Sequence, residues 1–177
     1  MSLTILFLLG IIGVTLVMTF RAALARAILD DNAVVQRLRG AAWFHHYWKG
    51  GLLLFAVNAA LFFTAVLGFY GAIMYSIPYV HILLMLIAVV GSIYVWLIIN
   101  RSWRGLRRDR IKMGLVGSSF YALLGMMFMY GLMTLKPSYP GEDTFMGAIG
   151  LLFAIVAALG AFVTCLVLTG FSKSDQK

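Results

Sequence analysis

Between Gly50 and Asn100 the only conventional ionisable side chain, tyrosines aside, is His81. Asp, Glu, Lys, Arg and His are also missing from Met113 to Leu135 and from Thr144 to Ser172. A run of ~20 apolar residues is long enough to cross the hydrocarbon core of a bilayer as a helix. Inside that core the backbone has no water to bond to, so each run must close its own hydrogen bonds as a helix. The fold class that follows is all-α, a polytopic membrane protein. Charged residues make up 11% of the chain, against roughly 25% in soluble proteins.

The runs predict five transmembrane helices in a single domain covering residues 1–177: an N-terminal anchor and two antiparallel helical hairpins. The first span is residues 3–20, LTILFLLGIIGVTLVMTF. Arg21 follows it and no positive charge precedes it, the reverse of a secretory signal, so it is read as a retained anchor. Residues 21–50 are too polar to span. There Asp31 or Asn32 is placed to cap a helix over AVVQRLRGAAW, and Trp43, Tyr47 and Trp48 mark a membrane–water boundary. The second span, 51–75, and the third, 79–100, are joined by the turn SIPY. A basic loop, 101–113, leads to the fourth span, 114–135. The outer turn 136–143, KPSYPGED, has two prolines and a glycine, and precedes the fifth span, 144–171. Residues 172–177 are a polar tail.

Positive charge sets the expected orientation. With the N-terminus outside and the C-terminus cytoplasmic, thirteen of the fourteen Lys and Arg residues fall on inner segments and only Lys136 falls outside. That asymmetry is what the positive-inside rule requires. It also accounts for the net charge of +8 without a nucleic-acid partner. The expected location is integral to a membrane, a bacterial plasma membrane being the first expectation. A shift of 63 positions aligns Lys49, Gly51, Leu52, Ala59, Leu61 and Gly68 with Lys112, Gly114, Leu115, Ala122, Leu124 and Gly131. A true duplication would relate the two hairpins by an axis along the membrane normal.

The lone cysteine, Cys165, excludes an intramolecular disulfide, a CxxC redox pair and the quinone-linked thiol oxidoreductases that need cysteine pairs. No Asp, Glu, Lys or Arg is placed near a span midpoint, where proton-coupled carriers keep one. Glu142 and Asp143 suit the positive N-terminal end of the fifth helix better than they suit catalysis. No catalytic set is expected, and no motif points to a particular family.

Small residues form the clearest pattern. Gly147, Gly150, Ala154, Ala157 and Ala161 recur at steps of three and four on the fifth helix, and Gly114, Ser118, Ala122 and Gly125 do so on the fourth. Close helix approach in lipid uses such faces, whether the other helix belongs to this chain or to a partner. Asn58, Thr64, Ser118, Ser119 and Thr164 are polar within spans, and each is expected to bond backbone carbonyls or to bridge two helices.

The segment GMMFMYGLM, residues 125–133, holds four methionines. Met126, Met129 and Met133 share one helix face, as do His81 and Met85, and thioethers with imidazole suit copper(I). The competing reading is that these methionines fill apolar interior space beside aromatic rings. Haem clamped by two histidines is not expected, because His45 and His46 lie at one boundary and His81 at the other. A His–Met haem pair using His81, or Asp30 and Asp31 joining His45 and His46 around a metal, are lesser alternatives. Arg104, Arg107, Arg108 and Lys112 form a basic face suited to anionic lipid headgroups or an acidic partner.

The leading functional expectation is a non-catalytic integral subunit of a larger membrane complex, packing against other integral membrane subunits, with a respiratory or other energy-transducing complex as one example of a host that no residue selects. The alternatives are a small homo-oligomeric transporter or channel using Asn58, Ser118 and Ser119, and a copper-binding membrane protein.

Overall fold

The computed structural model describes residues 15, 19, 33–75, 80–137 and 144–171. Apart from residues 15 and 19 the expected first span, and with it the Asp31 or Asn32 cap, the SIPY turn, most of KPSYPGED and the polar tail, lie outside the described residues. The described elements are all helical: α1 (Ala33–Gly40), a single 3-10 turn (Ala42–His45), α2 (Tyr47–Met74), α3 (Val80–Ser102), α4 (Arg107–Met133) and α5 (Phe145–Gly170). The last four are long and apolar enough to cross a membrane.

Three span boundaries agree with the sequence within a few residues. The fourth does not. Helix α4 begins at Arg107, not near Gly114, and the basic loop shrinks to the four residues between Ser102 and Arg107. Charge marks where a helix leaves the hydrocarbon, not where it starts. Arg107, Arg108, Arg110 and Lys112 therefore occupy the first two turns of a transmembrane helix instead of a loop.

Around the bundle the order is α2, α4, α5, α3. The α4–α5 and α2–α4 interfaces are the most extensive, α2–α3 and α3–α5 are thinner, and the diagonal pairs α3–α4 and α2–α5 have no Cα atoms within 8 Å among the described residues. Helices exchanged by a two-fold axis along the bundle would sit on a diagonal. The repeat equates α2 with α4, yet these are neighbours, so the arrangement is not the one a duplication about such an axis would give.

Glycine explains why α4 is the hub of packing. A Cβ at Gly117 would run into the Leu54 side chain of α2, standing 2.6 Å from Leu54 Cβ. One at Gly51 would lie 2.6 Å from Val116 Cβ. These two positions let the α2 and α4 backbones approach, the close packing on which helix association in lipid depends.

Burial is concentrated toward one end. The buried residues are Gly50, Gly51, Leu54 and Asn58 on α2, Trp96–Asn100 and Ser102 on α3, Arg110–Tyr121 positions on α4, and Ile155–Gly170 positions on α5. All but Ile155 lie in the arginine-rich half or at its border with the other. At the other end Tyr70, Ile73, Met74, Leu83, Met85, Met126, Tyr130, Met133 and Met146 are exposed, although Gly131 faces Leu151 and Gly68 faces Leu84 there.

Candidate functional site: a polar hub and an arginine-clamped end

Asn58 is fully buried and stands eleven residues into α2. At 1.5 Å per residue that is roughly 16 Å from the helix start, close to the middle of a hydrocarbon core of about 30 Å. An amide at that depth must be satisfied by protein. Trp96 Nε1 of α3 donates to Asn58 Oδ1 at 2.8 Å. Asn58 Nδ2 donates to the Gly117 carbonyl of α4 at 3.0 Å and to Cys165 Sγ of α5 at 3.7 Å. One side chain thereby ties its own helix to the other three. The sequence reading allowed Asn58 two helices at most.

The other polar span residues singled out in the sequence, and Thr169, turn to their own backbones. Ser118 donates to the Leu115 carbonyl, Ser119 to Val116, Thr64 to Ala60, Thr164 to Gly160 and Thr169 to Cys165. Aromatic rings close over the hub. Trp96 meets Tyr121 edge-on at 6.0 Å, and Phe120 packs against Phe55 and Phe62 at 5.5 and 5.8 Å.

Below the hub, arginine secures the helix ends. The last carbonyls of a helix have no intrahelical partner and carry partial negative charge. The buried Arg110 donates from Nε to the Thr169 carbonyl of α5 at 3.1 Å and from Nη2 to the Asn100 carbonyl of α3 at 3.4 Å. Arg39 of α1 donates from Nε and Nη2 to the Arg101 carbonyl at 3.2 and 3.1 Å. His45 completes the seam. Its Nδ1 accepts from the Arg104 N–H at 3.4 Å, which leaves Nε2 to donate to the Arg39 carbonyl at 3.0 Å. Sequence reasoning counted Arg110 as topology charge only. Its spacing of three, four and seven from the buried Met113, Gly114 and Gly117, on a helix that starts earlier than the apolar run, was the signal that it turns inward.

Arg110→Met is expected to lower stability in detergent by about 1–2 kcal/mol, since charged hydrogen bonds are worth somewhat more than neutral ones but water can reach this boundary. Lys should not restore it, because an ammonium cannot bridge two carbonyls as a planar guanidinium does. Denaturant titration of the two variants checks this.

The predicted packing residues divide. On α4, Gly114 meets Thr169 and Gly170, with Oγ1 of Thr169 3.0 Å from a Gly114 Cβ, and Gly125 meets Ala158 at 3.7 Å. Ser118 is buried and Ala122 half-buried. On α5, Gly147, Gly150 and Ala157 are exposed, and Ala154 and Ala161 half-buried. The buried face there is Ile155, Ala158, Cys165, Leu168 and Thr169, one residue further on. One residue is about 100° of rotation on an α-helix, so the small stripe of α5 flanks the interface instead of forming it.

The copper set is not brought together. Met85 is on α3 and Met126, Met129 and Met133 are on α4, a diagonal pair, and all four are exposed. His81 lies in α3, and its side chain is outside the described residues. The interior-filler expectation is also corrected: Met126, Met129 and Met133 are 60%, 43% and 77% exposed, whereas Met113, at the opposite end, is fully buried. Among the described residues no three His, Cys, Asp or Glu side chains converge as metal ligands. Replacing Met126, Met129 and Met133 together by Leu is expected to leave stability within about 0.5 kcal/mol of the parent, as for other exposed positions, with thermal unfolding in detergent as the check.

Of the basic group, Arg104, Arg107, Arg108 and Lys112 are all exposed. Arg104 sits in the α3–α4 loop and not on a helix, and Lys112 Nζ lies 5.2 Å from the centroid of the Tyr47 ring.

Comparison with protein-family models finds no match. Comparisons with curated proteins and with solved structures find none either.

Proposed function

We propose that this chain is a non-catalytic integral subunit of a larger membrane assembly, with its arginine-rich end on the cytoplasmic side. The observation that carries the reading is the division of the bundle. At one end Asn58, Trp96, Arg110 and Arg39 are spent on holding helix to helix. At the other, Tyr70, Ile73, Leu83, Met126 and Met133 are exposed. A bundle whose polar contacts are gathered toward one end holds a fixed scaffold while offering apolar helix surface at the other to a companion, and in lipid such surface associates by packing. The Lys and Arg asymmetry supports the orientation.

The transporter alternative draws less support. Asn58 and Ser118, which would line its path, are both fully buried, and Asn58 has donor and acceptor occupied by three helices. A respiratory or other energy-transducing complex is one host that would suit such a subunit, and no residue selects it.

Extraction of the native membrane in mild detergent, followed by mass spectrometry of the intact particle, is expected to return this chain with at least one companion protein in fixed ratio. Recovery as a lone monomer would overturn the proposal, and recovery as a homo-oligomer alone would favour the transporter.

A further inference from the structure

Trp103 is 6% exposed, and its Nε1 is a buried donor with no hydrogen-bond partner. Every other feature of this residue is settled. Its ring packs edge-on against Phe44 at 5.8 Å and His45 at 6.0 Å, and a Cβ at Gly50 would stand 3.1 Å from Cζ3. The edge that carries Nε1 runs along Gly105: a Cβ there would stand 3.2 Å from Nε1 and 3.4 Å from Cε2 and Cζ2. Gly105 is exposed and supplies no side chain to cover that edge. Two residues later α4 begins.

The start of α4 is itself short of acceptors. The N–H groups of Arg107, Arg108 and Asp109 have none within the helix, and the N-cap, Leu106, provides no side-chain acceptor. The next amide, Arg110 N–H, does bond to the Leu106 carbonyl at 3.1 Å. Exposed guanidinium groups at Arg104, Arg107 and Arg108 surround this turn, with Asp109 the one acid in it. Free N–H groups at a helix start, with the positive end of its dipole, favour an anion with several acceptor oxygens. The indole N–H that lies along Gly105, two residues before this start, donates and never accepts.

We propose that the Trp103–Arg108 turn binds the phosphate of an anionic lipid headgroup. The exposed Gly105 peptide swings outward, Trp103 Nε1 and the first-turn amides donate to the phosphate oxygens, and Arg107 and Arg108 neutralise its charge. The phosphate comes from lipid because the turn joins two transmembrane helices at the end where Trp43 and Trp48 lie exposed, the level at which headgroups sit. This site does not depend on the chain being a subunit.

The test mixes the purified full chain in mild detergent with equal amounts of phosphatidylglycerol and of diacylglycerol with the same acyl chains, which lacks the phosphate. Lipid retained on the protein is counted by native mass spectrometry. Phosphatidylglycerol should be favoured by about tenfold, as expected of charge-assisted hydrogen bonds to one phosphate group. Arg107→Gln with Arg108→Gln should abolish the preference, and Asp109→Asn should raise it. Trp103→Phe removes the unpaired donor along with one ring of the buried indole, so it should lower the preference about threefold, the worth of one hydrogen bond, together with some loss of thermal stability from the space left behind. Gly105→Ala, which sets a methyl against Nε1, should do the same if Trp103→Phe folds poorly. Equal retention of the two lipids would overturn the proposal. So would Trp103→Phe and Gly105→Ala both behaving as the parent, which would leave only a diffuse basic surface. Displacement of the lipid by millimolar glycerol phosphate would assign the turn to free phosphates and overturn the lipid assignment, whereas no displacement supports it.

Discussion

Gly117→Ala should cost at least about 3 kcal/mol of stability in detergent, at the upper end of overpacking penalties. The new methyl would overlap the Leu54 side chain of α2, reaching as far in as Cβ, 2.6 Å away. A flexible side-chain tip can rotate aside, but Cβ is fixed to its backbone, so α2 and α4 must separate. Separation stretches the Asn58–Gly117 bond, 3.0 Å long, because the clashing glycine is also the hydrogen-bond acceptor. Gly91→Ala and Gly150→Ala provide the contrast. Nothing lies within 4 Å of a Cβ at either position, so these should gain up to about 1 kcal/mol from helix propensity. Denaturation by SDS titration of the three variants gives opposite signs on this account. Similar losses for all three would mean that α2 and α4 are not in close contact.

Asn58→Leu should lower stability by about 3 kcal/mol, although it replaces an amide by an alkyl group of similar size in an apolar interior. Single interhelical hydrogen bonds in membranes average only ~0.6 kcal/mol and reach ~1.7. Two considerations raise the figure here. Three contacts to three helices are lost together, and Trp96 Nε1 is left without a partner where water does not reach, at about 1–3 kcal/mol for such a group. Pairing Asn58→Leu with Trp96→Phe separates the two effects. The second substitution removes the orphaned donor, so the double variant should be less destabilised than the sum of the singles by about 1 kcal/mol or more. Strict additivity would place Trp96 outside the hub.

The apolar runs made four long helices legible because length and absence of charge suffice for that. What pairs with what was not legible. Asn58 stood out as an amide in a span, but Trp96, Gly117 and Cys165 become its partners only once the order α2, α4, α5, α3 brings them to one depth. The start of α4 was missed for a related reason: arginines at its first turns read as loop, while Arg110 is held inward by carbonyls of α3 and α5 that no local pattern announces. The stripe Gly150, Ala154, Ala157 was found by spacing, yet spacing identifies a face and not its occupant. Helix α5 turns the neighbouring Ile155 and Ala158 toward α4, because Gly114 and Gly125 on α4 already supply the close approach. Trp103 carried no signal in sequence beyond that of a boundary aromatic, since only the fold removes its partner.

The arrangement of helices about Asn58 is the claim on which the rest depends, and engineered cysteines test it most directly. In a Cys165→Ala background, Gly125→Cys with Ala158→Cys joins α4 to α5 at positions whose Cβ atoms stand 3.7 Å apart, within the roughly 3.5–4.5 Å that a disulfide spans. Met85→Cys with Met126→Cys probes the diagonal α3–α4 pair, whose Cα atoms come nowhere within 8 Å among the described residues. Mild oxidation in the membrane should bridge the first pair nearly completely and leave the second as free thiols. A bridge between positions 85 and 126, with none between 125 and 158, would contradict the account.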